Sequence, residues 1–356
     1  MAGEVICGVS SVNFNQDNGC FGCGCNNGFR VYNADPLKQV HFVQLEGGIS
    51  IVEMLFRCNY IALVGGGPTP AFPTNYGELN EDLDHPLCAI SVVIWECMKE
   101  KAVIELEMPS EVRAVRLRRD RIIAVLDHSI HVFSFTETPK LLHVLETWPN
   151  INGICALSPM GEAILAFPSS STAGSVHILS LAEPDAPRHI IEAHQSQVVA
   201  MALSTDGLKL ATASEKGTLI RVFDTKTNEK LNELRRGTQP ARIYSISFNH
   251  DASLICVSSD HSTIHLFALK KPLKRTGSKK LENYIKGEVS FSRFHIQQSS
   301  PKKNKLPAVI SKCAFSVEPD TIVVVCTDGS YYKFHYDNLK GQCTRQTYSL
   351  FLEMGN

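Results

Sequence analysis

Three things are scarce in this chain of 356 residues: net charge, long apolar runs and helical periodicity. Its 35 basic and 36 acidic residues leave a net charge of −1, which argues against a general polyanion binder and so against nucleic acid; any anion recognition must be local. No apolar run approaches the length of a bilayer. Met1-Ala2-Gly3-Glu4 opens without the basic and apolar segments of a secretory leader, so a cytosolic protein is expected.

Most of the twelve cysteines sit singly in apolar, strand-like runs, as at Cys58, Cys155, Cys256 and Cys326. A reduced thiol there acts as a small hydrophobe, and disulfides are not expected. Cys20, Cys23 and Cys25 form C-x-x-C-x-C, but a closed zinc site wants four ligands and the nearest further one is Cys7. Packing within one strand is expected instead, with no metal. The triple glycine Gly65-Gly-Gly67 lacks the Lys-Ser/Thr and following helix of a phosphate loop. No nucleophile, base and orienter stand in a recognisable arrangement, so no enzyme is expected.

What is present is a repeat. A pattern of apolar, often basic, apolar and usually aromatic residues recurs as Phe29-Arg30-Val31-Tyr32, Val92-Val93-Ile94-Trp95, Ile130-His131-Val132-Phe133, Val176-His177-Ile178-Leu179, Ile220-Arg221-Val222-Phe223, Ile264-His265-Leu266-Phe267 and Tyr332-Lys333-Phe334-His335. The seven copies start 63, 38, 46, 44, 44 and 68 residues apart, and four of these intervals lie near the ~40–45 residues of a WD-type propeller blade. Short apolar runs bounded by turn residues flank each copy, for example Val198 to Leu203, Lys209 to Ser214 and Ile243 to Phe248. Four strands per unit define a blade. The expected fold is all-β: one seven-bladed WD40-type β-propeller over residues 1–356. The first unit supplies its own four strands and the last ends with Thr344 to Leu352, so closure without strand exchange between the termini is expected.

The two long intervals place insertions. Residues 65–86, rich in glycine, proline and acid, form a flexible insertion in blade two. Residues 270–287 lie between the third and fourth strands of blade six. There Lys270, Lys271, Lys274, Arg275, Lys279, Lys280 and Lys286 oppose one acid, Glu282, and are interleaved with Leu273, Leu281, Tyr284 and Ile285. A solvated loop is the plain reading of such a block. Cations mixed with large apolar side chains also suit an anionic membrane surface, where each cation contributes about 1 kcal/mol.

Between these features lies Leu234-Arg235-Arg236-Gly237-Thr238, at the end of a strand-like run from Glu229. Successive strand side chains point to opposite faces, so the two arginines offer their phosphate-matching forks to two sites. Gly237 is expected to permit a sharp turn. Taken alone, the stretch reads first as an exposed basic strand end.

The chain resembles the PROPPIN family, β-propellers that bind polyphosphoinositides and carry a Phe/Leu-Arg-Arg-Gly motif. The matching residues are Ala193-His194, Ala211 to Asp224, Leu234-Arg-Arg-Gly-Thr238, Ser258-Ser-Asp260 and His265-Leu-Phe267. Phe14-Asn-Gln-Asp17, Val52-Glu-Met-Leu55 and Ala62 to Gly67 extend the likeness over nearly the whole chain, closest to the third and fourth animal WD-repeat phosphoinositide-interacting proteins. The resemblance implies two rim sites for phosphatidylinositol 3-phosphate and the 3,5-bisphosphate. The first takes Arg235, His194, Thr212, Ser214, Thr218 and Arg221; the second takes Arg236, Thr238, Ser259, Ser262, Thr263 and His265. Thr212 and Ser214 lie two apart and share a strand face, and hydroxyls with a guanidinium suit a phosphate. Several relatives have glycine where this chain has Ser262, which leaves the donor set of the second site open. His131 and His177 occupy the repeat position of His265 and are read as structural; His265 and Arg221 are open to either role.

The resemblance further implies an adaptor of autophagosome formation, cytoplasmic and recruited peripherally to preautophagosomal and endosomal membranes. It implies no cofactor, a monomer, and as partners phosphoinositide-containing membranes and autophagy-related protein two, a lipid-transfer protein. Asn15 and Asp17 match positions implicated in that protein contact, although a turn beginning Asn-x-Asp explains them equally. The rival reading is a lipid-independent WD40 protein-interaction scaffold, because a propeller by itself does not specify function.

Overall fold

The computed structural model describes residues 8–72, 90–183, 189–269, 288–297, 308–337 and 340–355. Period-two alternation of apolar residues gives strands almost throughout; the described residues hold one short 3-10 helix, Phe351–Gly355. The strands form seven sheets, each with a core of four in chain order. Sheet one is Val9–Phe14, Cys20–Cys25, Gly28–Asn33 and Lys38–Gln44; sheet two is Ile49–Met54, Tyr60–Gly65, Ser91–Glu96 and Lys101–Glu107. Sheet three is Ala114–Arg118, Arg121–Val125, Ser129–Ser134 and Leu141–Glu146; sheet four is Ala156–Leu157, Ile164–Pro168, Ser175–Ser180 and His189–Glu192. Sheet five is Val198–Leu203, Lys209–Ser214, Leu219–Asp224 and Lys230–Arg235; sheet six is Ile243–Phe248, Leu254–Ser259, Thr263–Ala268 and Ser292–His295; sheet seven is Ser311–Phe315, Thr321–Cys326, Ser330–Tyr336 and Cys343–Leu350.

Each copy of the repeat is the third strand of its sheet. The register against the fourth strand slips by one residue at the repeat's aromatic position in four sheets, at Tyr32, Trp95, Phe133 and Phe223. Such a bulge increases local twist. Among the described residues, neither terminal stretch adds a strand to the other's sheet.

The chain clusters into two compact units. The first holds residues 1–153 with 326–331 and 349–356. Its core packs Ala62, Val64, Val92 and Ile94 against Val115, Ile122 and Ala124. Here the expected end of the last strand is corrected: Phe351 and Leu352 belong to the 3-10 helix. The Phe351 ring meets Phe21 and Tyr32 edge-on at 5.2 Å each, and the Tyr331 hydroxyl donates to the Ala34 carbonyl at 2.8 Å. The second unit holds residues 154–325 and 332–348. Two apolar clusters organise it, one joining sheets four and five through Ile178, Ile191, Leu210 and Phe223, the other joining sheets five and six through Ile220, Leu234, Ile243, Ile255 and Val257.

Cys20, Cys23 and Cys25 are buried within one strand, as expected, and the described cysteines form no disulfide. Two placements differ. Cys58 is exposed in the turn after Met54, and Cys155 is buried just ahead of its strand. An apolar neighbourhood in sequence marks burial of a segment without fixing where its strand begins. Of the blade-two insertion, the described residues fold back on Gly48, whose amide donates to Thr69 at 2.7 Å and whose carbonyl accepts from Gly66 and Ala71 at 3.0 Å. Residues 270–287, the basic and apolar candidates of the blade-six insertion included, lie outside the described residues; the described strands on either side are Thr263–Ala268 and Ser292–His295. One element was not foreseen: Glu288–Val289 adds a parallel strand to the outer edge of sheet five.

Candidate functional site

The site is built from the register of sheet five. Arg221 is paired with Thr212 on one side and Glu233 on the other, and Leu219 is paired with Arg235. Paired residues share a face and alternate along a strand. Thr212, Ser214, Arg221, Glu233 and Arg235 therefore stand on one face, while Ala213, Ile220 and Leu234 stand on the other, buried against sheet six.

On the first face, toward sheet four, His194 Nε2 is hydrogen bonded to the Thr212 hydroxyl at 3.0 Å. Arg221 donates through Nη1 to the Ala193 carbonyl at 2.6 Å and through Nε to Glu233 at 2.9 Å. Lys230 Nζ donates to the same carboxylate oxygen at 3.1 Å. Arg221 is thus tied to the scaffold through two of its five N–H groups. Burial, then the charge of Arg221, lowers the His194 pKa to about 4, so the ring is neutral near pH 7. Thr212 and Ser214 are buried, Thr218 is half-buried, and half-buried Arg235 closes the row at the strand's end. The Thr218 carbonyl accepts the amide of Arg236 at 3.0 Å.

Arg236 points the other way. It is only 7% exposed, and its Nε donates to the Gly217 carbonyl at 2.8 Å. Nη2 donates to the Gln239 carbonyl, and Nη1 lies 3.5 Å from His261 Nδ1 of sheet six. Burial pulls this guanidinium's pKa below its usual value. Ser259 is fully buried, and its hydroxyl has no hydrogen-bond partner among the described residues. The Thr263 hydroxyl donates to the His261 carbonyl at 3.1 Å and meets His295 Nδ1 at 3.1 Å. His265 Nδ1 meets the Ser290 hydroxyl at 3.3 Å. Its pKa falls to about 4, first through burial and then through the charges of Arg236, Arg293, His295 and His261. Thr238 is exposed just beyond the arginines.

Arg293, His295 and His261 went unnoticed in the sequence. The first two lie opposite His265 and Thr263 in the sheet register, and alternate with buried Ser292 and Phe294. That alternation was the available signal, but using it requires the pairing across the insertion. Ser262 adopts φ of 55°, a left-handed conformation that explains glycine as the alternative there. Gly237 is not among the positive-φ glycines, and a Cβ there would meet nothing within 4 Å. The chain bends just after it, at Thr238 and Gln239.

Asn15 and Asp17 occupy a turn of sheet one. Asn15 is buried; its amide donates to the Phe56 carbonyl at 3.0 Å and its carbonyl oxygen accepts from the Cys20 amide at 3.1 Å. Asp17 is at the surface, where it accepts from the Gly19 amide at 2.9 Å and pairs with Arg57 at 3.3 Å. Among repeat histidines, His177 bonds to Ser169 at 3.1 Å inside sheet four. No cluster of metal-ligating side chains occurs among the described residues.

A family model described as PROPPIN matches residues 89–285. Autophagy-related protein 18 of Dictyostelium discoideum is 30% identical, the match covering 94% of this chain and 91% of that protein. Autophagy-related protein 18 of Neosartorya fischeri is 36% identical over 74% of this chain and 61% of its own length. Among solved structures, Kluyveromyces lactis Hsv2 with its complete loop 6CD superposes with a TM-score of 0.76 at 22% identity, covering 97% of this chain and 99% of that one. KlAtg21, in complex with the coiled coil of AgAtg16, gives a TM-score of 0.76 at 26% identity with the same coverage. With seven sheets, each built on four strands in chain order, this likeness shows a seven-bladed β-propeller.

Proposed function

Because the chain belongs to the PROPPIN family of polyphosphoinositide-binding β-propellers, effectors without catalytic activity, we propose that it binds phosphatidylinositol 3-phosphate and the 3,5-bisphosphate at two sites flanking Arg235 and Arg236. In doing so it recruits autophagy machinery to membranes for autophagosome formation. The observation that supports this most is the division of one strand end onto two polar faces. Arg235 ends a row with Ser214 and the His194–Thr212 pair, and Arg236 joins His261, Thr263, His265, Arg293 and His295. A chain with a net charge of −1 gathers cations at this place, which suits a local polyanion such as a phosphorylated inositol ring. The buried Ser259 hydroxyl is a further donor without a described partner.

The basic insertion 270–287 then supplies a second, less specific attachment. Seven cations around Leu273, Leu281, Tyr284 and Ile285 add electrostatic and apolar contact with an anionic leaflet. No described helix is long and apolar enough to cross a membrane, and attachment in this reading is peripheral, to preautophagosomal and endosomal membranes. Protein contact is the second engagement, favoured by the KlAtg21 complex with a coiled coil of AgAtg16. For this monomer the partner is autophagy-related protein two, met through Asp17; Asn15 shapes the turn from inside.

The test is vesicle sedimentation with and without phosphatidylinositol 3-phosphate. The wild type should pellet only with the lipid, and Arg235→Thr/Arg236→Thr should stay in solution. Equal pelleting of the two would leave only the lipid-independent scaffold. Serine at Leu281, Tyr284 and Ile285 should weaken vesicle attachment while binding of the soluble headgroup survives.

A further inference from the structure

Asn232 lies on the outer strand of sheet five, three residues before Arg235. Its Nδ2 donates to the Leu269 carbonyl at 3.4 Å and to Glu288 Oε1 at 3.0 Å. Leu269 immediately precedes the basic insertion 270–287 and Glu288 immediately follows it. One amide, using both of its N–H groups, therefore closes the base of the insertion.

The chain leaving the insertion runs on as a strap. Glu288 and Val289 pair in parallel with Leu234 and Arg235. The Ser290 hydroxyl bonds to His265 Nδ1 at 3.3 Å, and the Phe291 amide donates to the Leu266 carbonyl at 3.0 Å. Four consecutive residues thus touch first the strand bearing Arg235 and then the histidine on the Arg236 side. The hairpin of sheet six does not demand this route, because its own pairing starts only at Ser292. A parallel pairing of two residues is weak by itself, so side-chain bonds from Asn232 and Ser290 must hold it. The pairing also sets Val289, 63% exposed, beside Arg235.

We propose that Asn232 is a positioning residue for membrane attachment. Together with the strap it holds the base of the insertion in register with Arg235 and His265, so that the headgroup contacts and the insertion engage one bilayer together. Linked contacts gain through effective concentration only if their geometry permits simultaneous engagement, and the clamp sets that geometry. The proposal rests on the lipid reading above.

Asn232→Asp tests it, because the substitution keeps the size, removes both donors and places a carboxylate against Glu288. Binding of soluble inositol 1,3-bisphosphate, measured by calorimetry, should stay within about twofold, while affinity for phosphatidylcholine vesicles carrying phosphatidylinositol 3-phosphate should fall on the order of tenfold. Adding Glu288→Gln, whose amide can donate to Asp at 232, should restore most of the loss. Unchanged vesicle affinity of N232D overturns the proposal. So does an equal loss toward vesicles and soluble headgroup, since that marks damage to the pocket. A wild type that ignores the lipid-bearing vesicles sinks the lipid reading instead, and this proposal with it.

Discussion

The Nε of Arg236 donates to the Gly217 carbonyl at 2.8 Å, making one of the two adjacent arginines part of the scaffold as well as of the proposed site. A guanidinium fixed at Nε, and at Nη2 by the Gln239 carbonyl, has its remaining N–H groups already aimed. Less rotamer freedom is then lost when a phosphate binds.

Arg236→Ala should consequently lower stability by about 2 kcal/mol, the scale of a charged hydrogen bond lost from a buried group. Arg236→Lys should recover little, since a point-like ammonium cannot span both carbonyls. Urea unfolding checks both, and an Arg236→Ala protein as stable as wild type would contradict the anchoring role.

The histidines predict opposite pH trends for the empty and the loaded protein. His194 and His265 are each held at about 4 by burial, then by the neighbouring charge of Arg221 or of Arg236, Arg293, His295 and His261. The unfolded chain protonates them near pH ~6.5. Their contribution to stability is therefore full above about pH 6.5 and is lost as the pH falls toward about 4. A bound phosphate works in the other sense, favouring the charged ring. Melting temperature without ligand should drop between about pH 7 and pH 5, while calorimetry shows tighter headgroup binding over the same range.

Two glycines near Arg236 should behave differently. Gly217 has φ of 56°, and a Cβ there would run into the Ala241 carbonyl oxygen. Gly217→Ala should cost more than about 2 kcal/mol, from left-handed strain and displacement of the segment before Ile243. At Gly237, where a Cβ would meet nothing, alanine should change stability by less than about 0.5 kcal/mol. It should still weaken vesicle binding, because the added methyl fills open space beside both arginines.

Much of the fold was legible because each strand announces itself locally. Lys209 to Ser214 and Leu254 to Ser259 are short apolar runs ending in polar turns, and both are strands with those bounds. That Arg235 and Arg236 point different ways was equally legible, since strand geometry sends neighbours apart. Glu288–Val289 was not, because two residues carry no period and their partner strand lies more than fifty positions away in the chain. Arg293 and His295 were missed for a related reason: they become neighbours of His265 and Thr263 only through the register chosen across the insertion.

By itself, the amino-acid order determined the repeated four-strand unit and the opposed directions of Arg235 and Arg236, both consequences of local alternation. Only the tertiary structure decided which polar groups stay engaged within the protein and which converge. Arg221 gives two of its donors to Glu233 and the Ala193 carbonyl, and Gly237 faces open space where a Cβ would stand; neither fact is written in the local pattern. Asn232 had no distinguishing mark until its amide met both ends of the insertion. Those outcomes depend on distances between segments far apart in the chain, which pairing register and packing set and local pattern does not.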